Sequence, residues 1–243
     1  MPPGKAKTEN KVPDYIGHRK RMRDRFRRNG FNGMLKHEVL ESLLMLLIPR
    51  KDVKPLANKL LRRYDTVLDV ISAPPEELME FSGLGETSVT GLKMIFGCMQ
   101  HCLQEKCREL DWMGNTEDVC NFVRMKLGVL HRESCMAIFL NSRNKLINYK
   151  IYEGTVDHVH TYPRNLAEDV INCHASKLIL VHNHPSGDFT PTMDDLASTC
   201  AIHDALKAVS AQLVDHIIVT KYGYFSFVAN QIPLNRKIEG LDQ

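Results

Sequence analysis

"KLILVHNHPSGDFTPTMDD" (Lys177–Asp195) runs a greasy segment straight into two histidines, a proline–glycine break and a pair of acids. The apolar run Leu178–Val181 has no polar alternation, so it reads as a buried strand. Side chains two apart on a strand point to one side, which makes His182 and His184 project together from the strand's end. Pro185 and Gly187 turn the chain. Thr190 and Pro191 then have the chemistry of an N-cap and a first helical residue. The helix they open carries Asp195 about one turn in, facing back towards the histidines. Asp194 stands ~100° further round that helix. Strand, tight turn and helix in succession is the unit of an α/β layer.

Two imidazoles and a carboxylate suit a divalent metal, and zinc best. Three protein ligands leave a fourth position for water, the arrangement of a catalytic zinc rather than a closed structural one. A non-catalytic zinc clip is the alternative. A second H-x-H, His158 and His160, lacks both the turn and a placed acid, and reads as strand-surface histidines. His174, His203 and His216 read as ordinary packed or surface residues.

Outward from this unit the same alternation continues. "PTMDDLASTCAIHDALKAV" extends the helix, "LVDHIIVT" is a strand and "YFSF" a last short one. Upstream, "YPRNLAEDVINCHAS" is helical, and "SCMAIFLNSRNKLINYKIYEG" reads as two strands around an Asn-Ser-Arg-Asn turn. "TEDVCNFVRMKLG" is a short helix. Residues 115–243 are therefore expected to form an α/β domain, a mixed sheet flanked by helices.

"KCRELDWMGN" (Lys106–Asn115) marks a change of character, and residues 15–110 read as an all-α domain. Apolar residues from Leu35 to Tyr64 recur at three- and four-residue steps, punctuated by Pro49 and Pro55. Pro74 and Pro75 open a further helix with Glu76 and Glu77 in its first turn. Gly83-Leu84-Gly85 breaks it, and Thr87 or Ser88 can cap the next. Helix, Gly-Leu-Gly hairpin, helix is the shape of a helix-hairpin-helix motif. Such a hairpin can turn backbone N–H groups towards a phosphate; it can equally be a plain helix–helix turn. Residues 1–14 read as a disordered basic tail.

Charge is unevenly spread. Residues 1–63 hold 17 Lys+Arg against 6 Asp+Glu, net +11; the remaining 15 against 23 give −8, and the two sum to the chain's +3. "HRKRMRDRFRR" (His18–Arg28) packs seven Arg/Lys into eleven residues. It reads either as a solvated helix face with Met22 and Phe26 along one apolar edge, or as a contact for the phosphate backbone of DNA. No apolar run approaches the ~18 residues of a membrane span. The polar start of the chain has no signal core, so a cytoplasmic location is expected. The seven cysteines form no C-x-x-C, and read as small buried hydrophobes rather than a disulfide or zinc framework.

H-x-H, ten residues and D resembles the motif of the JAMM (JAB/MPN-type) metalloprotease superfamily. Within it, "HNHPSGDFTPTMDD" is similar to the bacterial RadC-like proteins, whose motif reads HNHPSGD-x-TPS-x-x-D. The likeness runs over roughly residues 115–227, through "SCMAIFLNSRN", "EGTV" and "DHIIVT…YFSF", and the FSGLGETSV stretch resembles the family's helix-hairpin-helix part. The resemblance implies a JAMM/MPN-type zinc hydrolase domain over 115–243, with His182, His184 and Asp195 as Zn2+ ligands. It implies a water on that zinc attacking an amide or isopeptide bond, and a glutamate before the first strand as general base. That position is Glu133 in "HRESCMAIFL", with Glu153 as rival. Where the family carries a serine that holds the tetrahedral intermediate, this chain has Thr192, which keeps the hydroxyl but restricts the rotamer. The competing expectation is a DNA-binding accessory or repair-linked protein, or a nuclease, with a mainly structural zinc. In that case the basic arm and the Gly83–Gly85 hairpin are the working surface.

Overall fold

A computed structural model describes residues 17–108, 111–112, 116–153 and 163–235. The chain divides into two compact units, Met1–Gly97 and Cys98–Gln243. The 1–14 tail and the His158/His160 pair lie outside the described residues.

The first unit is all helical: α1 (His18–Asn29), α2 (Lys36–Leu47), α3 (Lys54–Arg63), α4 (Val67–Ser72), α5 (Pro75–Met79) and the start of α6 (Glu86–Arg108). Its core is one cluster around Leu40, Leu44, Leu60, Val70, Leu78 and Leu92, all fully buried. Pro55 and Pro75 sit in first turns, where their missing N–H costs nothing. Gly83 turns the hairpin at φ +104°, a conformation that side-chain-bearing residues rarely adopt, while Leu84 is buried. Thr87 and Ser88 lie inside α6 rather than ahead of it. The Ser88 hydroxyl instead reaches back to accept the Gly85 N–H at 2.9 Å.

The basic helix α1 is partly structural. Arg19 donates to the carbonyls of Met45, Ile48 and Lys51 at 2.6–2.8 Å, satisfying the open C-terminal end of α2. Arg25 pairs with Glu38 at 2.7 Å. The expected apolar edge is only half realised: Met22 is buried, but Phe26 is 45% exposed and lies against Phe31.

The second unit holds α7 (Thr116–Leu127), β1 (Ser134–Leu140), β2 (Leu146–Glu153), α8 (Pro163–Asn172), β3 (Lys177–Asn183), α9 (Met193–Ala208), β4 (Gln212–Val219) and β5 (Tyr224–Ser226). One sheet runs β2-β1-β3-β4-β5. Only β3 and β4 are parallel, joined through α9; the other pairs are antiparallel. The alternation of side chains splits the sheet cleanly. Met136, Ile138, Ile179 and Val181 pack with Phe122 and Leu127 of α7. Cys135, Ala137, Leu178 and Leu180 pack with Leu166 of α8 and Ile202 and Leu206 of α9. His182 and His184 share the parity of Leu178 and Leu180, so they face α9.

Other expectations are overturned as well. The cap of α9 is Thr192, not Thr190, and Pro191 lies outside the helix. Cys98 and Cys102 are exposed rather than buried, while Cys107, Cys120 and Cys135 are the buried small hydrophobes expected. Among the described residues no helix is long and apolar enough to cross a membrane.

Candidate metal centre

β3 delivers His182 at its end and His184 just beyond it. The His184 N–H donates to the Val219 carbonyl at 3.0 Å, so this residue stays tethered to β4 after the ladder ends. Gly187, at φ +90°, reverses the chain, and its N–H returns to the His184 carbonyl at 3.1 Å. The third residue of the cluster, Asp195, is aimed by the start of α9. The Thr192 hydroxyl accepts the Asp195 N–H at 3.2 Å, and Asp195 Oδ2 accepts both the N–H (2.7 Å) and the hydroxyl (2.6 Å) of Thr192. This reciprocal capping box bends the carboxylate back over the helix N-terminus, towards the strand. Asp194 is exposed on the other side.

The ligand atoms of His182, His184 and Asp195 all lie within 4.8 Å of one another. His182 Nε2 is 2.9 Å from His184 Nε2 and 2.9 Å from Asp195 Oδ1; His184 Nε2 is 3.5 Å from Asp195 Oδ2. Nitrogens bonded to a tetrahedral zinc at ~2.0–2.1 Å stand roughly 3.3 Å apart, so the cluster is already near that spacing. The far side of His184 is fixed: its Nδ1 is 2.8 Å from the Asp188 carbonyl, which can only accept. Nδ1 therefore carries a proton, and whenever His184 is neutral its Nε2 lone pair faces Asp195. A lone pair, a second imidazole and a carboxylate converging at these distances repel unless a cation or a proton sits among them. The donor set and its geometry fit a divalent metal.

The electrostatics agree. Burial alone pushes the Asp195 carboxyl up, but the bonds to His182 and His184 outweigh it and hold its pKa far below the carboxylate range. Burial pulls His184 down, yet its bonds to Asp195 and the Asp188 carbonyl, with the charge of Glu133, raise it above its ordinary value.

Glu133 immediately precedes β1 and is half-buried. Cys135 pairs with His182 across β1 and β3. Glu133 continues the parity of Cys135 towards the α9 face, and its charge is among those that raise His184. Glu153 pairs with Ser134 on the other side of β1, and the alternation turns it to the α7 face, away from the histidines. Asn183, between the two histidines, holds the Glu133 loop. Its side chain accepts the Ser134 N–H at 2.8 Å and donates to the carbonyls of Leu130 and Arg132 at 3.3 and 3.0 Å.

His216 is more than an ordinary packed residue. It is 1% exposed on β4, with Nε2 2.7 Å from His182 Nδ1 and Nδ1 2.5 Å from the Thr199 hydroxyl. Complete burial pushes its pKa well below the ordinary histidine value. Phe227 stacks on it at 4.8 Å. Asn183, Thr199 and His216 escape a reading by spacing because their partners lie on other elements. The one local signal is the polar pair Asp215-His216 inside the apolar strand "LVDHIIVT".

Comparison with known proteins agrees with this architecture. The family model described as "RadC-like JAB domain" matches residues 113–232. A UPF0758 protein of Fusobacterium nucleatum is 36% identical over 223 residues, covering 88% of this chain and 96% of the relative. A mixed sheet carrying the His-His-Asp cluster, the family match and likeness over nearly the whole relative lead to one assignment: the chain belongs to the RadC (UPF0758) family, within the JAB/MPN superfamily.

Proposed function

We propose that this protein is a zinc-dependent hydrolase of amide or isopeptide bonds, with His182, His184 and Asp195 as metal ligands. The observation that carries the reading is the convergence of two imidazoles and a deeply depressed carboxylate at 2.9–3.5 Å, with Glu133 on the same face of the sheet. A zinc ion held there supplies Lewis acidity, bringing water deprotonation towards neutral pH and polarising a carbonyl. The chain's own groups do the rest. Glu133 takes the proton from the attacking water on its carboxylate and returns it to the departing amine nitrogen. Asn183 keeps that glutamate's loop in place. Thr192 orients Asp195, and its hydroxyl is the group we assign to the oxyanion. Its proton is donated to Asp195 Oδ2 in the described geometry, so that role requires the bond to be exchanged during turnover. Cysteines without a disulfide-framework spacing suit a reducing compartment, and we place the protein in the cytoplasm. The test is zinc content and amide hydrolysis of the wild-type chain, then of Glu133→Gln. Zinc retained with hydrolysis lost is the expected result.

A second reading concerns the helical unit. A cleft of about 260 Å³ is lined by Lys51, Lys59, Ser82 and Gly83 beside the hairpin. Lys51 and Lys59, on the α2–α3 link and on α3, outweigh Asp52 in the lining of this cleft, which favours contact with a phosphate backbone, and DNA is the partner we assign to this face. The two readings are compatible, the helical unit locating the protein and the second unit hydrolysing its substrate. Counterion release predicts an affinity that falls steeply with salt.

A further inference from the structure

We infer that His216 and Thr199 are positioning residues of the metal centre: they lock the tautomer of His182 and tie the strand that carries it to the helix that carries Asp195. The inference rests on the metal reading above, and hydrogen-bond direction carries it. The Thr199 hydroxyl lies 2.5 Å from the Asp195 backbone carbonyl and 2.5 Å from His216 Nδ1. A carbonyl cannot donate, so the single hydroxyl proton goes to Asp195. The hydroxyl oxygen must then accept, which puts a proton on His216 Nδ1. His216 is 1% exposed and stacked on Phe227, surroundings that disfavour a charged ring, so Nε2 is left as an acceptor, 2.7 Å from His182 Nδ1. That nitrogen must donate, and His182 is left with its lone pair on Nε2, the atom that faces His184 and Asp195.

Every proton in this chain is fixed by the one before it. It starts at the main chain of one proposed ligand, Asp195, and ends on the ring of another, His182. Metal-ligating histidines ordinarily donate their second N–H to a carboxylate, a carbonyl or water. Here the acceptor is a neutral, buried imidazole. It orients the ligand without adding negative charge, so the site keeps one carboxylate as its only anion among these residues. Both positioning side chains are held by packing: His216 between Phe227 and His182, Thr199 1% exposed on α9.

The test compares His216→Leu, His216→Gln, Thr199→Val and Thr199→Ser with the wild-type full chain. Zinc affinity is read by chelator competition, cobalt(II) is used as a visible-absorption probe of ligand geometry, and thermal midpoints are recorded without metal. His216→Leu leaves His182 Nδ1–H without an acceptor, and Thr199→Val frees His216 to take the opposite tautomer. Each is expected to weaken zinc about 10–100-fold and to change the cobalt spectrum. Glutamine offers an acceptor to His182 and a donor to Thr199, and serine keeps the hydroxyl, so both should stay within about threefold of wild type. Thr199→Val stands as the probe if His216→Leu does not fold. Wild-type affinity and an unchanged spectrum in the folded Leu and Val variants overturn this inference and leave the metal reading intact. A wild-type chain that binds no zinc overturns the metal reading itself, and this inference with it.

Discussion

Asp195 concentrates most of the chemistry of the site in one carboxylate. Its oxygens accept from Thr192 and face both histidines, and its backbone carbonyl accepts from Thr199. The bonds to both histidines outweigh burial and hold the Asp195 carboxyl far below the usual carboxylate range. The pKa of His184 is raised in the metal-free site, so protons compete with metal there from above the ordinary histidine value of about 6.5. Zinc affinity should therefore be flat at alkaline pH and fall by about tenfold per unit once His184 protonates. Titration of affinity between pH 8 and 5 checks this, and a constant affinity across that range would contradict it. Thr192 gives a second prediction at this scale. Thr192→Ala removes the cap and should cost about 1 kcal/mol with weaker zinc binding, whereas Thr192→Ser should be nearly neutral. Thermal melts and chelator competition read both. The pair also bears on the oxyanion assignment, since only a lost hydroxyl should lower the maximal rate at saturating metal.

The β3–turn–α9 unit was legible in the sequence because each part of it is local. An apolar run, an i, i+2 histidine pair, a glycine at a positive φ and a hydroxyl near a helix start all act within a few residues. The cap slipped by two positions for the same reason. Thr190-Pro191 and Thr192 both offer local start signals, and the deciding one is the reciprocal bond with Asp195 three residues on. What could not be read from spacing is how elements lock one another. His216 finds Thr199 and His182 across 17 and 34 residues, and Asn183 reaches the Glu133 loop across about fifty. Asn183 is 1% exposed, so Asn183→Ala strands the Ser134 N–H and the two loop carbonyls. The Ser134 N–H is the buried one of the three, so a destabilisation of about 1–3 kcal/mol is expected for one buried unsatisfied group, together with lost activity. Denaturant melts give the first number; an unchanged midpoint would mean that Asn183 does not hold the Glu133 loop.

At the scale of the whole molecule, the sequence's basic first quarter divides into structural and surface charge. Arg19 and Arg25 bind carbonyls and Glu38 inside the helical unit, whereas Lys20, Arg23, Arg27 and Arg28 are exposed. Composition alone shows the density of charge but not which guanidinium groups are already engaged, and only packing separates them. Arg19→Ala should lower the stability of this unit by leaving the C-terminal carbonyls of α2 unsatisfied. Replacing Lys20, Arg23, Arg27 and Arg28 by Gln should leave stability nearly unchanged. It should also reduce the salt dependence of DNA affinity, by about one unit of slope for each phosphate no longer neutralised. Binding isotherms at several salt concentrations test this, and an unaltered slope would take α1 out of the DNA reading. The central claim concerns the second unit. Its most direct test is turnover of amide- and isopeptide-linked fluorogenic peptides by zinc-loaded wild type and Glu133→Gln, with zinc affinity measured alongside. Equal zinc binding and a rate at least ~10²-fold lower in the Gln variant are predicted; an undiminished rate in that variant would contradict the role of Glu133 as the base.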